Sequence, residues 1–473
     1  MTASVTVREN APSGGGSELR AQLVLAIPLA LQQLGFQLMG TVDAAWLGRY
    51  DETALAAAGI GNNLLFAISS IGLGLVMGLD TLIPQAIGAG RYPDARRYLH
   101  AGLRLAVLAG LVCTLLVFAT PIVLSIAGVA EDVASDARVY VYLRALGIVP
   151  FLLSVALRSY LAAHNVTRPL IIAVILGNLA NALLDAVLIF GISAIGLPPL
   201  GVIGAAVATV TVQIVIVFVY LASVRSLDPD GPLGPLEPGD TSPLPVSTRA
   251  DLMEILRYGG PVAGQLFAEV GIFGVATVIA ASMGTLPVAG HTIALNLSSF
   301  TFSVAVGIGA ATSVRVGHAI GAGDVALARR RGLIGFAMGL AIMAAFAVMF
   351  VSAPRLLAGV FTDDAAVIGA AVPLLMIAAL FQLSDGAQAI GAGALRGLGD
   401  TRATLIGNLI GHYAIGLGIS LGLGFGAGMG APGLWLGLSA GLTVTAFYLF
   451  ARFLAATRPA TGTNSASTAS RLT

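Results

Sequence analysis

The sequence predicts an all-α integral membrane protein, with twelve transmembrane helices in two six-helix lobes related by a pseudo-two-fold axis along the membrane normal. Three observations carry that expectation. The 473-residue chain is 57% hydrophobic and only 10% charged, whereas a soluble domain carries about 25% charged residues. Twelve apolar runs reach the ~20 residues that a spanning helix needs. The two halves of the chain also repeat one another at a fixed separation.

That separation is 233 residues. QAIGAG at Gln85–Gly90 returns as HAIGAG at His318–Gly323 (318 − 85), and Pro28 returns as Pro261 (261 − 28). Arg96-Arg97 recurs as Arg329-Arg330 and Asn63 as Asn296 in the same register, while Thr167-Arg168 and Thr401-Arg402 form a looser echo. Several residue types holding one register imply duplication, the usual ground plan of transporters that bind between their repeats.

Taken in order, residues 1–21 read as a polar, cytoplasmic N-terminal tail. The N-lobe, 22–225, holds spans near 22–48, 54–86, 98–124, 138–163, 169–191 and 200–223. The first run is too long for a signal-peptide core. Residues 226–250 contain six prolines and read as an extended cytoplasmic linker. The C-lobe, 251–457, holds spans near 251–282, 286–319, 332–358, 366–393, 403–426 and 432–455. Residues 458–473, rich in Ser, Thr and Ala, read as a disordered tail. Six spans per half bring both halves in from the same side, so the repeats are expected to be parallel.

Arginine placement sets the orientation. With the N-terminus inside, twenty arginines fall on the inner side, and Arg49, Arg138, Arg144 and Arg355 fall outside. Both termini are therefore expected in the cytoplasm. All 24 basic residues are arginine. The absence of lysine excludes a P-loop ATPase and Schiff-base chemistry within this chain. A net charge of +1 argues against a nucleic-acid partner, and the lone Cys113 excludes an internal disulfide.

Candidate chemistry lies in four carboxylates inside apolar spans: Asp43, Asp185, Glu269 and Asp385. Each costs at least ~2.5 kcal/mol at the bilayer centre, about 10 kcal/mol together, so such groups normally face a cavity and serve ion traffic. Counting 1.5 Å per residue from flanking arginines places Asp43 and Asp185 in the outer half and Glu269 and Asp385 nearer the inner side. Each half then holds its own pair. Amides accompany them at helical spacing: Asn181 with Asp185, Gln265 with Glu269, Gln382 with Asp385, and Gln33 with Gln37. A carboxylate with an amide oxygen and a hydroxyl suits a hard cation, and a desolvated carboxylate suits a proton. The residues leave both open.

Asp80 is expected to support the adjoining loop, and the five scattered histidines to be structural. Pro28 and Pro261 remove backbone donors within spans one and seven. They read equally as passive kinks or as parts of a moving gate.

With these residues assembled, the chain resembles the multidrug and toxic-compound extrusion (MATE) family, close to its bacterial NorM-type branch. The matching stretches are GTVDAAWLG at Gly40–Gly48, LDTLIPQAIGAG at Leu79–Gly90, FAEV at Phe267–Val270, HTIALNLSS at His291–Ser299 and GALRGLGDT at Gly393–Thr401. The resemblance implies twelve helices in two alternately opening lobes, and export of organic cations against inward Na+ or H+. It implies an N-lobe ion or proton-coupling site of Asp43, Asn181, Asp185 and Thr209, with Na+ possible at the first three. It also implies C-lobe acids at Glu269 and Asp385. One position departs: some Na+-coupled relatives carry tyrosine a turn before the last acid, where this chain has Phe381.

The expected function is therefore a cation-coupled, inner-membrane multidrug antiporter, monomeric and without a cofactor beyond its coupling ion. Glu269 and Asp385, with Gln37, Gln265 and Gln382, would meet the cationic substrate or a second ion. A lipid-linked precursor flippase is the alternative, but it would favour a cationic cavity. No HExxH, nucleophile elbow or clustered His/Asp set supports an enzyme.

Overall fold

The computed structural model describes residues 15–126, 128–193, 196–227 and 248–458. Most of the 226–250 linker and of the 458–473 tail lies outside the described residues. The first half comprises α1 (Gly15–Tyr50), α2 (Glu52–Val76), α3 (Leu79–Gly88), α4 (Tyr92–Val117), α5 (Thr120–Ile126), α6 (Glu131–Ala145), α7 (Ile148–Ala163), α8 (Arg168–Phe190) and α9 (Val202–Leu227). The second comprises α10 (Arg249–Ser282), α11 (Thr285–Gly321), α12 (Val325–Ser352), α13 (Pro354–Gly359), α14 (Ala365–Leu398), α15 (Thr401–Asn408), α16 (Gly418–Leu421) and α17 (Gly430–Ala456). π-helical turns at Leu409–Leu417 and Gly422–Gly426 join α15, α16 and α17.

Eleven of these helical stretches are long and apolar enough to cross a membrane, and α6 with α7, bent by 43°, makes a twelfth. That agrees with the twelve runs, with span four broken at Leu146-Gly147. α1 begins at Gly15, so its first two turns come from the stretch assigned to the tail. α1 and α10 run on unbroken through Pro28 and Pro261.

Local chemistry sets the ends. Asp51, Asp324 and Asp364 cap α2, α12 and α14 through side-chain bonds to backbone N–H groups. Thr248 and Asp251 form a reciprocal capping box on α10.

The repeated GAG motif has a double purpose. Its second glycines, Gly90 and Gly323, turn the chain after α3 and α11 with φ of 72° and 78°, a region that costs a side chain energy. Its first glycines, Gly88 and Gly321, seat one lobe on the other. A Cβ at Gly88 would lie 2.1 Å from the carbonyl oxygen of His318, and one at Gly321 would lie 2.1 Å from that of Gln85. The two contacts are copies, since 321 − 88 and 318 − 85 are both 233. Gly74 meets Ala263 and Gly307 meets Ala30 in the same reciprocal way. Matched copies touching in pairs, with α3 and α11 meeting at their like C-terminal ends, define a two-fold axis running along the helices.

All of these contacts lie toward one end of the bundle. Polar ties reinforce it: Glu18 with Arg315 and Arg331, Arg97 with Asp251 at 2.8 Å, and Tyr98 with Glu254 at 2.7 Å. Gln22 also donates to Thr312 at 2.9 Å. Nearer the opposite end, no interlobe hydrogen bond occurs among the described residues. Asn63, eleven residues before Gly74, lies on the same helix face three turns away and is exposed. Asn296 stands in the same relation to Gly307 and is exposed too. The face that joins the lobes at the glycines is therefore parted at the asparagines. The bundle is sealed at the end carrying the N-terminus and open between the lobes beyond it.

Candidate functional site

The N-lobe acids meet inside the lobe. Asp43 on α1 is 2% exposed, and its Oδ2 accepts from Thr209 Oγ1 of α9 at 2.9 Å. Asn181 and Asp185, one turn apart on α8, are both fully buried, and Asp185 lies beside Asp43 so that the two carboxyl groups interact directly. Three helices thus deliver two carboxyl groups, an amide and a hydroxyl to one point. Beyond that pairing the surrounding protein leaves the site unsatisfied. Asp43 Oδ1, both oxygens of Asp185 and both amide atoms of Asn181 have no hydrogen-bond donor or acceptor. Buried oxygens in that condition are costly unless something binds them. The donor set, all oxygen and twice anionic, fits a proton or a small hard cation.

Sequence reasoning missed the neighbours. Asn62 Oδ1 of α2 accepts from the Tyr140 hydroxyl at 3.1 Å and from Arg144 at 3.3 Å, both on α6. The charges of Asp43 and Asp185 reach Tyr140, and that of Arg144 reaches Asp185. Arg144 was counted among the outer-loop charges, yet it faces this group.

The C-lobe acids form the second cluster. Glu269 on α10 is 7% exposed. Its Oε2 accepts from Gln388 Nε2 of α14 at 3.3 Å and Asn408 Nδ2 of α15 at 3.4 Å, with Gln265 one turn away. Asp385, on the α14 turn between Gln382 and Gln388, is 4% exposed and senses the charge of Glu269. Gln382 is turned aside, accepting at Oε1 from Thr301 of α11 at 2.8 Å. Gln37 sits half-buried on α1 in the other lobe, and no hydrogen bond joins it to this cluster. Phe381 packs edge-on against Phe273 and tilted against Trp435, giving an apolar wall in place of a phenol oxygen.

Gln388 and Asn408 were not singled out from sequence. Gln388 could have been, at three residues from Asp385. The π turns that start just after Asn408, and place the Tyr413 hydroxyl 2.8 Å from the Ala268 carbonyl, break the 3.6-residue register on which such reasoning depends.

Asp80 does not support its loop as expected. It accepts from Ser159 at 2.5 Å and from Arg158 at 3.4 Å, tying α3 to α7. Of the histidines, His291 is held between Trp435 and Thr277.

A duplicated helical bundle, sealed at one end and carrying buried acids in each half, defines a multi-pass membrane transporter. The MatE family model matches residues 28–187 and again 261–422, its two starts again 233 residues apart. The chain is 38% identical to the probable multidrug resistance protein NorM of Deinococcus radiodurans, over 93% of this chain and 96% of that one. It is 35% identical to that of Bradyrhizobium diazoefficiens, over 91% and 92%. The solved structure of the eukaryotic MATE transporter AtDTX14 superposes with a TM-score of 0.83 at 20% identity, covering 93% of this chain and 96% of that one. The chain belongs to the MatE family; it is a transporter, not an enzyme.

Proposed function

We propose that the chain is a multidrug efflux antiporter of the bacterial inner membrane, exporting amphipathic, mostly cationic compounds against inward H+ or Na+ by alternating access. The names of its NorM relatives support the multidrug reading. The observation that carries the coupling is the buried Asp43–Asp185 pair, whose oxygens the protein itself leaves unsatisfied.

Two like charges side by side in a low-dielectric lobe repel strongly. A proton or Na+ shared among Asp43, Asp185, Asn181 and Thr209 relieves that repulsion and favours one packing of α1 against α8 and α9. Glu269 and Asp385, with Gln265 and Gln388 beside them, attract the cationic substrate or a second ion, while Phe381 and Phe273 offer apolar surface. Coupling follows if ion and substrate each favour a different lobe arrangement. Binding alone, without such a preference, moves nothing.

The arginine-rich, sealed end is taken as cytoplasmic, so the structure corresponds to the outward-facing arrangement. In that orientation residues 22–225 and 251–457 act as the two rocking lobes of a monomer, and both termini stay inside. Pro28 and Pro261, inside unbroken helices, each leave one backbone carbonyl without its helical donor and serve as the positions where α1 and α10 flex.

Ethidium accumulation in cells tests this reading. Cells expressing the wild type should exclude the dye until an ionophore is added, and Asp43→Asn should abolish exclusion. Intact exclusion by Asp43→Asn would overturn the ion-site assignment. Absence of exclusion by the wild type would overturn the exporter reading.

A further inference from the structure

The two halves differ where duplication should have matched them. Ala156-Leu157-Arg158 in α7 recurs as Ala394-Leu395-Arg396 in α14. In the first half Arg158 has its counter-charge, Asp80, at 3.4 Å. The residue 233 positions after Asp80 is Ser313, and its hydroxyl donates to the backbone carbonyl of Asp80 itself at 3.2 Å. The two equivalent positions therefore touch at the pseudo-two-fold axis, with an arginine from each lobe beside them and one carboxylate between both.

Arg396 is the arginine left over. It makes no ion pair among the described residues, and its Nη1 has only the thioether of Met77 at 3.5 Å, a weak acceptor. Its direction follows from two contacts. Thr81 holds the backbone carbonyl of Arg396 at 2.8 Å, whereas the guanidinium reaches Met77, one turn before Thr81 and farther from the sealed end. The side chain thus points away from the sealed end toward the middle of the bundle, as helix geometry favours. Asp385 lies eleven residues earlier on α14, three turns away on the same face and about 16 Å along the axis. The charge of Glu269 reaches Arg396 as well. An uncompensated guanidinium at this depth is costly and marks a functional position.

We propose that Arg396 is an anion-recognition residue at the floor of the interlobe space, taking the carboxylate of a zwitterionic substrate whose cationic end lies at Glu269 and Asp385. The inference rests on the exporter reading and adds a substrate class to it. The separation along α14 suits an amphiphile with its two charges at opposite ends. A planar guanidinium is the side chain best shaped to grip a carboxylate through two parallel hydrogen bonds.

The test uses two dyes that differ only in that group: tetramethylrhodamine with a free carboxylate, and its methyl ester, a pure cation. Export from cells and anisotropy-detected binding to the purified full-length protein are measured for wild type, Arg396→Gln and Arg396→Lys. Wild type should handle both dyes. Arg396→Gln should lose roughly tenfold to a hundredfold in affinity for the free acid, the weight of one charge-assisted pair, with the ester unchanged. Arg396→Lys should recover part of the loss. Equal losses for both dyes would assign Arg396 a structural role, and no change would leave it without one; either result overturns the proposal. A wild type that exports the ester and rejects the free acid also overturns it. A wild type that exports neither dye contradicts the exporter reading instead.

Discussion

Glu18 of α1 is ion-paired across the lobe boundary with Arg315 of α11, and a second arginine, Arg331 of α12, joins the same carboxylate. All three side chains are at most 5% exposed. Removing one partner of a buried charge pair typically costs about 3–5 kcal/mol, because the other charge is left uncompensated. Glu18→Gln leaves two arginine charges buried against each other, so the sealed end should open. The check is a cysteine placed at Gln22 in a Cys113→Ala background, labelled with an impermeant maleimide from the cytoplasmic face. Labelling in Glu18→Gln should be at least about tenfold faster, since each 1.4 kcal/mol shifts a population tenfold.

The glycine seats give a second expectation. Gly88→Ala places a methyl group 2.1 Å from a backbone oxygen, which cannot rotate away. Overpacking of this kind costs about 1–3 kcal/mol. Gly321→Ala should cost a similar amount, because it is the symmetry copy. The double variant should cost less than the sum, since either methyl already parts the lobes at that point. Melting temperatures in detergent measure all three; strict additivity would show that the two seats are independent.

Asn408 and Gln388 supply the donors to Glu269. Asn408→Leu removes one of them from a buried carboxylate, worth roughly 1–3 kcal/mol. With its ionised form less supported, Glu269 should attract a cation less strongly, and the Kd for ethidium on purified protein should rise between about fivefold and a hundredfold. The ethidium Kd of Asn181→Leu in the other lobe should stay within about twofold, because Asn181 does not touch this cluster.

Much of this architecture is written in local pattern. Hydropathy marks each span because lipid demands it of every helix separately, and the 233-residue register survives in motifs such as QAIGAG, whose glycines the lobe contacts require. Asn181 and Asp185 were legible because four residues make one helical turn. What escaped depends on contact between distant helices. Arg158 and Arg396 look like inner-side charges in a count of arginines, and only packing shows one paired and the other not. Asn62 and Tyr140 carry no spacing signal toward Asp43. Asn408 precedes π turns, which rotate the following residues off the expected face. The resemblance to the MATE family supplied Thr209, whose contact with Asp43 no periodicity could have indicated.

The most direct measurement is ethidium movement in proteoliposomes under separately imposed pH and Na+ gradients, for wild type, Asp43→Asn and Asp185→Asn. Wild type should couple dye movement to at least one gradient. Both variants should lose that coupling while still binding dye at Glu269 and Asp385 with a Kd within about threefold of wild type, because those acids lie in the other lobe. Gradient-driven transport that survives in both variants would contradict a coupling site built on the Asp43–Asp185 pair.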